Sequence, residues 1–165
     1  MTLKFNILVL LAALLFTSCY NFKGITIPNE MKTYKVENFT LANANAPIDL
    51  DQEFTERLRQ KVREESKLIN TTGESDVTYS GQITSYRVTY VAPNEENTTS
   101  LNRLEIGIKV EFTNNINEDD SWSKSYNDFE DFDATADFQT LQDDLIKEIF
   151  EDIVERVFND SFTNW

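Results

Sequence analysis

The chain has 165 residues with 15 basic and 29 acidic side chains, a formal net charge of −14, no histidine and a single cysteine. A surface this acidic is repelled by nucleic acid and by anionic headgroups, which excludes a nucleic-acid-binding role and leaves no basic patch for membrane attachment. Without histidine or a spare thiol there is no Ser-His-Asp or Cys-His catalysis, no His/Cys zinc site and, with four scattered glycines, no phosphate-cradling loop.

The first segment reads as a lipoprotein signal. Lys4 supplies the positive start, Ile7 to Phe16 form an apolar core too short to span a bilayer, and small Thr17 and Ser18 precede Cys19. The layout resembles a bacterial lipoprotein signal peptide, in which that cysteine is acylated and becomes the new N-terminus. A secretory signal with an incidental cysteine, or a short uncleaved anchor, are the competing readings. Against both, the small residues lie directly before Cys19, and no second cysteine offers a disulfide partner. Phe16 departs from the aliphatic residue commoner at its position.

Removal of residues 1–18 would take away Lys4 and no acid. It would leave 147 residues, 14 of them basic and 29 acidic, with a net charge of −15. That is one domain's worth of chain, large enough to fold without disulfides or metals. The expected organisation is a signal at 1–18, a tether at 19–31 and a single domain at 32–165.

Within the tether, Gly24 and Pro28 break periodicity, although Ile25 and Ile27 are compatible with a short edge strand. Lys32 to Leu41 alternates partway, Tyr34 and Val36 inward against Lys35 and Glu37, and predicts a first strand. From Asp49 the period becomes four: Leu50, Phe54, Leu58 and Val62 make one helical stripe, with Asp49 or Asp51 placed to cap the helix and its end expected at Ser66 to Ile69.

Two long strands follow. Val77, Tyr79 and Ile83 share one parity and Tyr86, Val88 and Tyr90 the other, so either a bulge near Thr84–Ser85 resets the phase or the second half serves a different surface. Leu104, Ile106, Ile108, Val110 and Phe112 alternate without a break. A polar turn at Asn114 to Asp120 leads to a strand at Ser121 to Asp133. A long helix then begins after Thr135 or Asp137, with Leu141, Leu145, Ile149, Ile153 and Val157 beside Ile146, Phe150, Val154 and Phe158. These two adjacent stripes make a broad apolar face. The element order β-α-β-β-β-α implies an α+β two-layer sandwich, two helices on one face of a roughly four-stranded, mainly antiparallel sheet.

The abundance of Asp and Glu leaves a carboxylate-pair hydrolase formally open, with Glu118-Asp119-Asp120 and Asp128 to Asp133 as its candidate acids. Acid runs of this kind are ordinarily a solvated turn and an outward strand edge. The expectation is therefore no enzyme, no cofactor and no metal.

The whole arrangement resembles the LptE family of lipopolysaccharide-assembly lipoproteins, in its Bacteroidetes form. The resemblance is carried by Cys19–Gly24, Ser80-Gly-Gln-Ile-Thr84, Leu101-Asn-Arg-Leu104 with its strand, and Phe158 to Trp165. It implies an outer-membrane lipoprotein on the periplasmic face, attached by lipid at Cys19. The implied role is to help assemble and plug the large β-barrel translocon that inserts lipopolysaccharide into the outer leaflet, with lipopolysaccharide itself a potential ligand. A pilot-like lipoprotein serving another envelope machine is the alternative. Under the resemblance, Tyr86, Val88 and Tyr90 are candidates for barrel contact, against a bulged strand packing on its own core. Arg87, Arg103 and Lys109 are candidates for anionic lipid phosphates, against an ordinary solvated strand face.

Overall fold

A computed structural model of the protein describes residues 27–43, 45–92 and 100–162. Cys19, the signal and most of the tether lie outside them, as do Pro93 and the last three residues. Ile27 is described and is not part of a strand.

The first predicted strand is two short ones, β1 (Thr33–Val36) and β2 (Thr40–Leu41). The gap between them has a packing cause: Phe39 leaves the extended line for the core and is 2% exposed, while its N–H donates to the Thr55 hydroxyl at 3.0 Å. Tyr34 and Val36 point inward as their alternation predicts.

Helix α1 (Leu50–Glu65) buries the four-residue stripe, with Phe54, Leu58 and Val62 fully enclosed. Burying each such side chain contributes about 1.5–3 kcal/mol. The expected carboxylate cap is not made at Asp49, whose side chain bonds no helical N–H. The Asp51 carboxylate accepts from the adjacent Gln52 N–H. The helix is instead entered through a turn in which Leu50 N–H donates to Pro47 O. At its other end the Ser66 N–H and hydroxyl both donate to Val62 O, and Lys67 takes a positive φ of 48°. The chain then turns into β3 (Ile69–Asn70).

The meander is β4 (Val77–Val91), β5 (Leu101–Asn114) and β6 (Trp122–Asp133), paired antiparallel in that order. Its register slips between Ile83 and Ser85, so the bulge expected near Thr84–Ser85 is present. Helix α2 (Phe138–Phe162) closes the fold; Asp137 accepts the Gln139 N–H at 3.1 Å and marks its start, as the sequence indicated.

Both helices cover one face of the sheet, giving the two-layer α+β architecture. The sheet is larger and more mixed than expected. Among the described residues it has six strands, in the order β3-β1-β4-β5-β6 with β2 on β4. β1 and β2 run parallel to β4, and β3 runs parallel to β1. The antiparallel expectation holds for the hairpin-connected strands. It fails for β1 because α1 intervenes before β4, and a helical crossover returns the chain in the same direction.

The core joins the layers through aromatic contacts. Phe54 meets Phe39 and Phe150 edge to face at 4.9 and 5.2 Å. At the other end Phe112 touches Tyr79, Trp122 and Phe162. Both stripes of α2 are enclosed from Leu145 to Phe158, and Phe162 is fully buried.

Candidate interaction surface

Among the described residues, the face of the sheet away from the helices is bare and polar. Across β4, β5 and β6 its rows are Thr89–Arg103–Asp131, Arg87–Glu105–Phe129, Ser85–Gly107–Asn127 and Gln82–Lys109–Ser125. All three candidate cations therefore share this face. Arg87 and Arg103 adjoin through Glu105, whereas Lys109 stands six residues from Arg103 along β5, about 20 Å away.

Each cation is closed onto a carboxylate. Arg103 makes a two-pronged bond to Asp131 at 2.7 and 2.9 Å, and its guanidinium lies 3.5 Å from the centre of the Phe129 ring. The Arg103 bond holds the Asp131 carboxyl below its ordinary range, and Asp131 in turn raises Arg103. Arg87 is bonded to Glu105, and Lys109 lies 2.8 Å from Glu111. Exposed pairs of this kind add only about 0–1 kcal/mol of stability, so their main effect is to neutralise the face.

Gly107 keeps the middle row flat. A Cβ there would lie 2.4 Å from Ser85 Oγ and 2.5 Å from Asn127 Oδ1, so those two side chains fold over the glycine.

The phase change in β4 divides its three residues. Tyr86, beyond the bulge, returns to the core at 7% exposure and its hydroxyl accepts a bond from Gln142 Nε2 at 2.7 Å. Val88 and Tyr90 are 43% and 63% exposed. α2 begins over β6, where Phe138 stacks on Phe132, and leaves the β4 margin of the hairpin uncovered.

The seam between β6 and α2 is strongly acidic. Lys124 and the Tyr126 hydroxyl both engage Asp160, at 3.0 and 2.7 Å, and Arg156 is bonded to Asp128. Burial and then the hydrogen bond to Asp160 push the Tyr126 hydroxyl far above the ordinary tyrosine range. Glu130 is raised above the ordinary carboxyl value of 4.5, first by burial and then by Glu148, Asp128, Asp152 and Asp131. A carboxyl raised by folding binds its proton more tightly in the native state, so its penalty is absent below 4.5 and complete above the folded pKa. Glu130→Gln is therefore expected to raise the urea midpoint at neutral pH and to leave it unchanged once the pH falls below the ordinary carboxyl value.

Sequence reasoning did not single out Asp76. Its Oδ2 accepts the Lys32 and Thr33 N–H groups, each at 2.8 Å, and the Thr33 hydroxyl at 2.9 Å, pinning the chain where the tether enters β1. Those backbone bonds hold its carboxyl below the ordinary range. A lone Asp before a strand carries no local signal for a partner 43 residues away.

With this geometry in view, comparisons with known proteins place the chain. A family model described as lipopolysaccharide-assembly, LptE, matches residues 31–161. Among solved structures, a minor lipoprotein from Acinetobacter baumannii is similar with a TM-score of 0.51 at 8% identity, covering 78% of this chain and 91% of that one. Rare lipoprotein B from Shewanella oneidensis gives 0.50 at 10% identity, covering 76% and 91%. The hypothetical protein CT253 from Chlamydia trachomatis gives 0.51 at 12% identity, covering 81% and 99%. At such identities these likenesses are of fold alone. No curated protein matches the sequence at a significant level.

Proposed function

The chain belongs to the LptE lipopolysaccharide-assembly family, and on that premise we propose that it is an outer-membrane lipoprotein that helps assemble and plug the β-barrel translocon inserting lipopolysaccharide. Its anchor in this reading is the acylated Cys19, on the periplasmic face. No helix among the described residues is long and apolar enough to cross a membrane, and the net charge of −14 opposes binding to anionic headgroups.

The observation that carries the reading is the bare sheet face. Among the described residues no helix lies over one whole side of the meander, which is tiled with Ser, Thr, Asn and Gln between cations already matched to carboxylates. A surface that is polar, flat and locally neutral suits the polar interior wall of a large barrel. A free membrane-binding or phosphate-binding surface would instead leave its cations open. Lipopolysaccharide phosphate meets Arg87, Arg103 or Lys109 in this scheme by displacing Glu105, Asp131 or Glu111.

The test is affinity purification from gently solubilised outer membranes, comparing wild type with Cys19→Ala. Wild type is expected to bring down a large barrel. Losing the anchor removes the high local concentration at the membrane and should cut that recovery about tenfold or more. Recovery of wild type with no partner, or with a different envelope machine, overturns the proposal.

A further inference from the structure

Among the described residues β6 ends the sheet, and its outer edge has two halves of different character. Ala134, one step past the strand, donates to Ser100 on the β5 side. Alternation then turns the N–H and C=O groups of Ser123, Ser125, Asn127, Phe129 and Asp131 toward the free side. Two observations agree with that phase: Asn127 O is met by both terminal nitrogens of Arg156 at 3.4 Å, and Phe129 N–H is taken by Asp128 Oδ1 at 2.9 Å.

From Asn127 onward the edge is thus occupied by the chain's own side chains, and Asp128, Glu130, Asp131 and Asp133 crowd it with charge, a usual defence against stray strand pairing. Among the described residues the half from Trp122 to Tyr126 has no such defence. Ser123 and Ser125 are small and exposed. Lys124, the one charge there, is held on the helix side by Asp160 at 3.0 Å and does not lie across the edge.

We infer that the free edge of β6 over Trp122–Tyr126 takes, by strand addition, an extended segment of a partner protein that is basic at its ends. The bracketing charges select this occupant. Glu118, Asp119 and Asp120 precede the window, and Glu130 and Asp133 follow it alongside the Asp128 and Asp131 carboxylates that Arg156 and Arg103 take, so a short uncharged strand flanked by Lys or Arg meets opposite charge at both ends. A second copy of this chain is disfavoured by the same residues. Antiparallel pairing of two copies centred on Ser125 sets Glu130 against Asp120 and Asp131 against Asp119, in both halves. The inference rests on reading the chain as a subunit of a larger assembly and adds where its partner is held.

The test uses the full-length lipidated chain in cells. A photo-crosslinking residue is placed at Ser123 or Ser125 on the edge, and at Asp143 on α2 as a control, alongside a Ser125→Pro variant. The Ser125 N–H faces away from β5, so proline there removes an outward donor and leaves the β5–β6 ladder bonded. Ser125→Lys, which adds an edge charge without touching the backbone, is the second variant. The expected result is an adduct to another protein from the edge positions and not from α2, with copurification of that protein cut about tenfold or more by either variant. Native circular dichroism should be retained.

Three results overturn the inference: edge positions that give no adduct, edge positions whose adduct is to a second copy, or partner recovery unchanged in both substitutions. The assembly reading is scored separately, by whether wild type recovers a large barrel.

Discussion

Phe54→Ala is expected to cost about 3–5 kcal/mol of stability, the range for removing a fully enclosed aromatic ring. Phe54 is 0% exposed and touches two rings belonging to different parts of the fold. Phe39, in the gap between β1 and β2, lies 4.9 Å away, and Phe150, midway along α2, lies 5.2 Å away. Truncation would leave a cavity at a point where the first strands, α1 and α2 converge, and closing it requires backbone movement in one of the three. For a chain of this length the thermal midpoint should fall by roughly 6–20 °C. Calorimetry on the purified protein checks this; a loss below 1 °C would show that the three elements are not packed together as described.

Gly81→Ala is the second large effect, expected to cost about 3 kcal/mol through overpacking, although only one methyl group is added. Gly81 sits in β4 opposite Val110, on the side facing the helices. A Cβ there would lie 2.1 Å from the Lys109 carbonyl oxygen and 2.7 Å from Cε1 of Phe39. The first contact is with backbone, so relief requires β4 to shift against β5. The second displaces the ring that anchors the gap between β1 and β2. No described glycine has a positive φ, so the requirement at Gly81 is for space and not for an unusual conformation. Gly73→Ala is the matched control. Its added atom meets only Thr71 Oγ1 at 3.9 Å, and its effect should stay within about 1 kcal/mol. Urea unfolding of the pair, with hydrogen exchange at Tyr79 to Ile83, separates loss of space from loss of chain freedom.

These two sites differ in how visible they are in the sequence. Phe54 belongs to the stripe Leu50, Phe54, Leu58, Val62, whose period announces burial on one helical face. Gly81 is one of four scattered glycines and looks like a weak point in a strand. Only the approach of Phe39, 42 residues earlier, makes its missing side chain a requirement.

The same division runs through the candidate surface. The bulge at Thr84–Ser85 was legible, because a change of parity within one strand has few other causes. That Tyr86 would return to the core while Val88 and Tyr90 stayed exposed was not, since it depends on where α2 begins over β6. Arg87, Arg103 and Lys109 could be placed on one strand face from parity alone. Their neutralisation by Glu105, Asp131 and Glu111 could not, because Arg103 and Asp131 meet only through the β5–β6 register.

The sequence by itself determined the period-two and period-four segments, the two-layer class, the family and the expectation of a lipid anchor at Cys19. Each of these depends on residues within a few positions of one another, where side-chain direction repeats with the local backbone. Tertiary structure alone decided that β1 runs parallel to β4, that β3 exists, that Asp76 pins the start of β1, and that β6 is left with one open and one occupied half of its edge. Those features depend on contacts between residues dozens of positions apart, and a chain's local period carries no information about which distant strand will lie beside it.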